Sequence, residues 1–477
     1  MKKRILLYLS LTFAILVNIY FRAYPINFLH LKNNAREAID TSIADIAKKD
    51  VQARFPKFYP TAKDKILKAR IAEYKKQNKD AIEEQINKIY LQLKEKYQDP
   101  SGQTYLFELD CWHWGRYVEN VVKYGHPGDE VIYGKQWDLY MLAPWGFYFV
   151  WDQFLYYFTA WIYNLFSIFI SVPLFTFLFY VPLLFSFIFI VVLFLYSFRL
   201  GGYIGALVSS VFIGLTPMLL HRSCAGWFDK DVLNLIFPLL VVWTYAMGSA
   251  GPHFKRRLMW VFFSSFWVAL FCFNWTHWWF IFIVIIIYEV LAMASLIVAY
   301  AYLCNKRSHM KDGDLPAEEP LIDGKLHLLK EHATSLAVFL MSSFLWILVI
   351  PGFMPIEALY NQVMYALFLN KPLSAIIWPN VLYTVGELRK VDIQGIARSM
   401  GGMPIFSASV GSLFVLLIRS LLIPKYDGFK RASFVILTIW FFTMFFASMR
   451  GVRFLVFLLI PLGVALGCAL NELYERL

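Results

Sequence analysis

The 477-residue sequence is poor in charge, because Lys, Arg, Asp and Glu make up 16% of it against about 25% in a typical soluble domain. Its five cysteines have no metal-site spacing and are too few for a disulfide framework. Neither a dinucleotide-binding fingerprint nor a glycine-rich phosphate loop occurs. These absences argue against most soluble proteins, and they give no sign of a nucleotide or zinc site.

What is present is apolar: 59% of the residues are hydrophobic and 19% are aromatic. The sequence contains apolar runs of about 20 residues, the length that crosses a bilayer. After a first run near the start, the others cover 175–199, 201–220, 232–250, 257–274, 278–301, 333–351, 403–423, 432–449 and 452–470. This pattern predicts an all-α polytopic membrane protein with about ten transmembrane helices and two large external loops.

The placement of basic residues predicts the topology. The basic start MKKR precedes an apolar stretch without a small-residue cleavage site, which indicates an uncleaved signal-anchor helix over 1–22 with a cytoplasmic N-terminus. With one span in 151–198, Arg199 and the cluster 255–257 lie inside, whereas two spans there would invert them. The formal charge of +12 is then explained by the positive-inside rule rather than by nucleic acid. We therefore expect a multi-pass protein of the cell (inner) membrane.

The domains follow from these spans. A first external loop over 23–150 is highly charged, with 27 of the 78 charged residues between positions 32 and 99. Within it, apolar residues at 82, 86, 89 and 93 predict an amphipathic helix packed on its own loop rather than on a partner. A transmembrane core over 151–351 includes a cytoplasmic loop at 303–330. A second external loop (352–401) and the C-terminal helices (402–477) complete the chain.

Four acidic residues fall in the predicted external segments. Asp229 and Asp231 flank Lys230 at a span boundary, and such a pair can share Mg²⁺ or Mn²⁺ through oxygen ligands. Asp110 precedes a predicted helix, where a plain helix cap is the alternative role. Glu387 follows Thr384, Val385 and Gly386 in the second external loop, where an ordinary loop carboxylate is the alternative.

Two arginines, Arg450 and Arg453, stand at the start of the last apolar run, where unpaired positive charge is unfavourable. A guanidinium group binds phosphate through a bidentate fork, so a phosphate head group is a suitable partner. Snorkelling of both side chains to the membrane interface is the alternative.

Four motifs occur in order along the chain: DCWHWGRYVENVVKYG, RSCAGWFDKD, TVGE and SMRGVRFLVFLLIPLGVALG. Together they resemble the catalytic subunit of oligosaccharyltransferases, most nearly the single-subunit archaeal and bacterial enzymes, over most of residues 100–470. The resemblance implies a GT-C glycosyltransferase fold and a divalent cation, Mn²⁺ or Mg²⁺. It also implies transfer of a glycan from a polyprenyl (di)phosphate-linked donor to an acceptor, expected to be protein asparagine, on the extracytoplasmic face.

The resemblance also implies roles for individual residues. The metal ligands would be Asp110, Asp229, Asp231 and Glu387, of which Asp110 and Glu387 would be catalytic. Arg453 and Arg450 would bind the donor phosphates. Further contacts to donor or acceptor would come from His113, Arg116 and Arg222.

The sequence departs from the family at its end, NELYERL, which follows directly on a predicted span. The Trp-Trp-Asp motif of the family's C-terminal soluble domain is not found. The expected partners are therefore the lipid-linked donor, membrane lipids, a protein or other acceptor, and a separate acceptor-recognition subunit. Acceptor choice without such a subunit would be loose or directed elsewhere.

Two other functions and one further contact stay open. A different GT-C transferase would move a sugar from a lipid monophosphate to a protein, lipid or glycan. A transporter or flippase would also have about ten spans, but transporters place ionisable residues near the midplane and show internal repeats. A disulfide between Cys111 and Cys224, both beside predicted ligands, would clamp the two loops.

Overall fold

The computed structural model describes residues 2–26, 29–56, 59–251, 253–308, 319–367, 386, 389–423 and 426–477, and these are helical apart from short connections and one small sheet. The first loop and its surroundings contain α1 (Lys2–Arg22), α2 (Leu29–Arg54), α3 (Pro60–Gln77), α4 (Lys79–Lys94), α5 (Leu109–Tyr124) and α6 (Phe154–Ser167). The central helices are α7 (Leu174–Leu215), α8 (Pro217–His221), α9 (Leu233–Gly248), α10 (Phe254–Asn274), α11 (Trp279–Ser308) and α12 (Glu319–Val349). The last are α13 (Met354–Leu367), α14 (Ile393–Ser399), α15 (Met403–Leu422), α16 (Gly428–Arg450) and α17 (Leu459–Tyr474), with 3₁₀ turns at Tyr24–Ile26 and Val452–Leu458.

Eight helical segments of the described chain are long and apolar enough to cross a membrane, which agrees with the predicted multi-pass protein. They are α1, α7, α10, α11, α12, α15, α16 and the segment Val452–Tyr474. The apolar helix α9 is shorter, with 16 residues. Counting the two halves of α7 separately and adding α9 gives the ten apolar segments that the sequence predicts.

Helix α7 is a hairpin of two helices rather than one rod. Gly201 and Gly202 interrupt it with non-helical backbone angles, and Gly202 has a φ of 59°, which glycine adopts without strain. Ser186 before this break donates to the backbone oxygen of Ser223 at 3.2 Å. Arg22 contacts both the Ser223 hydroxyl, at 2.9 Å, and Gly214 O, at 2.8 Å, after the break. A straight helix would hold residues 186 and 214 about 42 Å apart, so the chain must turn back.

The second half of α7 packs against α17 through small residues. A Cβ on Gly467 would lie 2.4 Å from the Ser209 hydroxyl and 2.5 Å from Gly205 O. The Ser209 hydroxyl also donates to Gly463 O at 3.1 Å. Such close backbone approach through glycine and serine is how helices pack in lipid, where apolar surface alone gives no driving force.

The highly charged part of the first loop, before α5, forms three helices, α2, α3 and α4, whereas the sequence predicted one there. Helix α4 carries the predicted apolar face, and its Ile86 is buried. It packs against α2, which also contacts α3. Exposed ion pairs, Arg36–Glu83 at 2.8 Å and Lys75–Asp40 at 2.6 Å, add little stability because water screens them.

A small antiparallel sheet, absent from the all-α prediction, lies between α5 and α6. Its strands β1 (Glu130–Ile132), β2 (Lys135–Asp138) and β3 (Phe147–Tyr148) are arranged in chain order. Trp137 pairs with Glu130 on one side and Tyr148 on the other. The sheet holds the chain that follows α5 against that helix, and α5 carries Asp110.

Candidate active site

The loop 222–232 between α8 and α9 carries the two predicted aspartates on either side of Lys230, which is buried. The ammonium of Lys230 donates to both the backbone oxygen and Oδ2 of Asp152, each at 2.8 Å. It also lies 4.8 Å from the ring of Trp114 and 4.9 Å from that of Tyr156. Because Lys230 is anchored in this way, the backbone that carries both aspartates is held in place.

Asp110 lies in the first turn of α5 and is exposed. It does not cap the helix, since the residue at the cap position is Glu108, so the plain capping role is wrong. The chain just before α5 is tied to the aspartate loop by a hydrogen bond from Phe107 N to Gly226 O at 3.2 Å. This contact brings Asp110 to the same end of the bundle as Asp229.

Burial and the neighbouring carboxylates at this end raise the pKa of Asp229. Burial away from water, then the charge of Asp231, raises the pKa of Asp229 to about 7, and Asp110 adds to the effect. Hydrogen bonding from Lys230 N at 2.6 Å and the ammonium charge of Lys230 only partly oppose it. The three aspartates therefore form a concentration of negative charge that a cation would stabilise.

Oxygen donors of this kind suit a hard divalent cation such as Mg²⁺ or Mn²⁺. Within the described residues, however, no group of three or more His, Cys, Asp or Glu is close enough together to hold a metal ion. Glu387, the predicted fourth ligand, lies outside the described residues, as do Thr384 and Val385 of its motif. The donor chemistry fits a cation, and the ligand set stays a prediction.

Arg222 interacts with one of the aspartates. Its NH1 lies 3.3 Å from Oδ2 of Asp231, and both side chains are partly exposed. This contact places Arg222 at the predicted site, where its contact with a ligand stays a prediction.

The second external loop returns to the same end. Backbone N–H of Val452 donates to Arg389 O at 3.0 Å, two residues beyond Glu387. This bond joins the exit of the loop to the 3₁₀ turn that carries Arg453. The same turn approaches the α10–α11 connection, where the rings of Phe457 and Trp275 stack with centroids 5.2 Å apart. The exit of the second external loop, the 3₁₀ turn that carries Arg453 and the α10–α11 connection thus lie next to one another.

A cavity of about 460 Å³ lies between this connection and the end of α16. Arg450 lines it together with aromatic and apolar side chains, among them Trp275, Trp279 and Phe454. His277 also lines it, and burial, then the nearby charge of Arg453, lowers the pKa of His277 to about 4. A neutral histidine and Arg450 on apolar walls, with Arg453 near that histidine, suit a lipid whose head group carries negative charge.

His113 and Arg116 belong to a polar network within the first loop. Arg116 forms salt bridges to Asp129 at 2.6 Å and to Asp138 at 2.5 Å. His113 Nε2 lies 2.7 Å from the hydroxyl of Tyr117, which also donates to Asp138. Burial alone would raise the pKa of Asp138, but the bonds from Tyr117 and backbone amides and the charge of Arg116 hold the pKa below its usual value. The network fixes α5 on the sheet, and ligand contact by either residue stays a prediction.

Some residues that shape this end were missed in the sequence. Asp152, the partner of Lys230, directly follows Trp151 at the start of an apolar stretch, and an acid in that position was a usable signal. The sequence did not predict His277 as a site residue, because it lies in the short connection between α10 and α11. Cys111 and Cys224 are both free thiols, so the disulfide between them is not formed.

Comparison with known proteins follows this geometry. The family model described as "Oligosaccharyl transferase STT3, N-terminal" matches residues 82–476. A "Dolichyl-phosphooligosaccharide-protein glycotransferase" of Methanococcus voltae is 27% identical over 394 residues, covering 78% of this chain and 42% of that protein. One of the same name from Methanocaldococcus jannaschii is 30% identical over 158 residues, covering 32% of this chain and 17% of that protein. The chain thus spans less than half the length of these relatives.

Solved structures agree on the fold. The Archaeoglobus fulgidus oligosaccharyltransferase in its apo form aligns with a TM-score of 0.52 at 15% identity, covering 80% of this chain and 48% of that one. The same enzyme tethered to an acceptor peptide with the NVT sequon aligns with a TM-score of 0.52 at 16% identity, covering 78% and 46%. At such identities the likeness supports the predicted GT-C glycosyltransferase fold.

Proposed function

We propose, because the chain belongs to the oligosaccharyl transferase STT3 family, that it is a membrane glycosyltransferase that moves a glycan from a polyprenyl (di)phosphate-linked donor to protein asparagine. One observation carries this proposal. Three mutually repelling aspartates and an arginine-lined apolar cavity lie at the same end of one helix bundle. A cation, a phosphate and a lipid chain are the ligands such a combination suits.

The relatives support the same reaction. The Methanococcus voltae protein is named for glycan transfer from a dolichyl-phosphooligosaccharide to protein, and the Archaeoglobus fulgidus enzyme holds an acceptor peptide with an NVT sequon. Both proteins are about twice as long as the matched region, so donor, acceptor and any separate acceptor-recognition subunit belong to the proposal for this chain.

In the proposed site Asp110, Asp229 and Asp231 hold Mn²⁺ or Mg²⁺, and Glu387 completes the set. A divalent cation, when bound, supplies a Lewis acid for the negative charge of the leaving phosphate. Lys230 keeps the loop fixed through Asp152, so the carboxylates are positioned before any ligand arrives.

Arg453 and Arg450 bind the donor phosphates. Transfer breaks the bond between the anomeric carbon and the phosphate oxygen, which keeps the electron pair, and forms a bond from that carbon to the acceptor nitrogen. The two guanidinium groups stabilise the charge that collects on the phosphate. The amide loses a proton, for which Asp110 and Glu387 are the proposed acceptors.

The positive-inside rule supports an extracytoplasmic location for this site. The N-terminal residues 2–4 and Arg256 lie at the start of helices α1 and α10. Arg22 and Asn274, at the far ends of those helices, lie on the side of the aspartates, since Arg22 binds Ser223 and Asn274 binds Asn234. Basic residues thus gather opposite the proposed site, and that side is the cytoplasmic one by the rule.

The test uses the purified protein, a lipid-linked oligosaccharide and a fluorescent Asn-x-Thr peptide, with Mn²⁺ or with excess chelator. We expect a glycosylated, mass-shifted peptide with Mn²⁺ and none with chelator. A matched peptide with Gln in place of Asn serves as the control.

Full activity in chelator would falsify the metal assignment. A reaction with a lipid monophosphate sugar but not with the diphosphate donor would instead identify a different GT-C transferase. Donor hydrolysis without peptide transfer, restored by membrane extract, would place acceptor recognition in a separate subunit.

A further inference from the structure

A second and larger cavity, of about 960 Å³, lies at the opposite end of the bundle. It is lined by residues of α11, α12, α15 and α16, and also by Arg257 at the start of α10. About 26 Å of helix separates Arg257 from Asn274 at the aspartate end, close to the thickness of a bilayer core. This cavity is therefore separate from the proposed donor site.

The cavity walls are mostly apolar and open toward the lipid-facing surface. Leu291 of α11 is 52% exposed, and Leu421 of α15 and Phe442 of α16 are 55% and 42% exposed. In a membrane-spanning chain such side chains face hydrocarbon. An acyl chain could therefore enter from the bilayer without crossing a polar barrier.

The charged groups around the cavity are not all available to a ligand. Arg257 is already paired, since NH2 lies 3.4 Å from Glu289 Oε1 and NH1 lies 3.8 Å from Glu331. His332 is likewise held, with Nδ1 2.6 Å from Glu289 Oε2. Glu331, which also lines the cavity, is the carboxylate that an anionic ligand would have to avoid.

Two cations remain. Lys325 of α12 and Arg431 of α16 both line the cavity, and neither forms an ion pair with a carboxylate of the residues that the structure describes. Arg431 uses only its Nε, which donates to Ser420 O at 3.0 Å. Two cations from different helices, neither paired with a carboxylate of the described chain, in an apolar and laterally open cavity are complementary to an anionic head group with hydrocarbon chains.

We propose that this cavity binds an anionic phospholipid, with the head-group phosphate between Lys325 and Arg431 and the acyl chains along the apolar walls. A neutral lipid would bring no net negative charge to the two cations, and a free phosphate would leave the apolar walls empty. The inference does not depend on the proposed transfer reaction, because none of its residues belongs to that site.

The experiment measures lipid retained by the full chain in detergent by native mass spectrometry, during titration with dioleoyl-phosphatidylglycerol or dioleoyl-phosphatidylcholine. We expect phosphatidylglycerol to bind at least about fivefold more tightly than phosphatidylcholine. The double variant K325A/R431A should lose about tenfold in affinity, which is the loss of two charge-assisted contacts. The variant Ser295→Trp should block the cavity without changing its charge.

The matched control is K255A/K330A, which removes two exposed basic residues from the same end that do not line the cavity. It should bind phosphatidylglycerol within about twofold of the unmodified chain, as expected when surface charge makes only a small contribution. Melting temperatures of all variants report whether each remains folded, and S295W tests the site independently of K325A/R431A.

Equal binding of the two lipids, or retention of phosphatidylglycerol by both K325A/R431A and S295W, would overturn the proposal. Displacement of the lipid by millimolar inorganic phosphate would identify a soluble anion as the ligand instead. Equal losses in the control variant would reduce the effect to general surface charge.

Discussion

Buried carboxylates have different partners at the two ends of the helix bundle. At one end Glu289 is wholly buried and receives Tyr245, Arg257 and His332 as partners, with the Tyr245 hydroxyl at 2.5 Å. At the other end burial, and then the charge of neighbouring carboxylates, raises the pKa of Asp229, and Lys230 opposes this only in part. The comparison teaches that charge paired within the protein serves the fold, whereas charge left in excess is suited to a ligand.

The largest effect should come from removing a carboxylate at the end of the bundle that contains Asp229. Asp229→Ala and Asp110→Ala should each lower transfer by at least about a hundredfold, because the cation loses a ligand. Peptide glycosylation at saturating donor measures it, and the melting temperature should not fall.

The control for this pair is Asp427→Asn at the opposite end, where the carboxylate accepts from Lys430 N at 2.9 Å as a helix cap. It should leave transfer near normal. Comparable loss of activity in all three variants would remove the distinction between the ends.

The next effect concerns the free energy of unfolding and involves the end of the bundle that contains Glu289. Glu289→Ala leaves Arg257 buried with a weaker set of partners, and breaking a buried pair of this kind costs about 3–5 kcal/mol. Thermal unfolding in detergent should show it. Glu331→Ala, which removes a carboxylate 3.8 Å from the same arginine, should cost much less; equal losses would contradict the special position of Glu289.

A smaller effect should follow from Lys230→Met, which leaves Asp152 without its ammonium partner and loosens the aspartate loop. Loss of a group that orients metal ligands weakens metal affinity by about 10–100-fold. The Mn²⁺ concentration for half-maximal transfer measures it. The control is Lys135→Met, an exposed lysine 5.1 Å from the Tyr148 ring, which should not change that concentration.

The smallest effect is a pH dependence of cation binding. A carboxyl group with a pKa of about 7 is mostly protonated below that pH, and the proton must leave before the cation binds. Apparent Mn²⁺ affinity should therefore be constant above pH 8 and fall by about tenfold per pH unit below 7. Without metal, the pH affects the free energy of unfolding in the opposite direction. Between about pH 4 and 7 the folded chain keeps a proton on Asp229 that the unfolded chain releases, so the stability decreases as the pH rises in that range. An apparent Mn²⁺ affinity that stays constant from pH 8 to 5.5 would contradict the raised pKa of Asp229.

The sequence was sufficient where a local pattern determines the structure. Apolar runs of bilayer length predicted the spans, and the break at Gly201 separates two of them as expected. It was insufficient where a contact joins distant residues, as in the pairing of Lys230 with Asp152 and of Arg257 with Glu289. The helices α2 and α3 were missed because they lack the strong apolar periodicity of α4, and short strands within a helical loop carry little signal.

The site was predicted in the same uneven way. Motif order placed Asp110 in one loop and Asp229 with Asp231 in another, and the fold brings the two loops to one end. The cavity beside Arg450 could not be predicted, because its walls come from α11 and α16, which are distant in sequence. His277 shows the same limit, since its lowered pKa depends on its burial and then on the approach of Arg453, and both are tertiary features.

The buried guanidinium at the end of α1 also has a consequence for the timing of synthesis. Arg22 leaves the ribosome 201 residues before Ser223, which it finally binds. At the usual 5–20 residues per second this interval lasts about 10–40 s. During that time Arg22 lacks its final partner at the end of α1, although α1 is itself apolar enough to span the membrane. The contact between Arg22 and the aspartate loop therefore forms only when the later segment with Ser223 packs against α1.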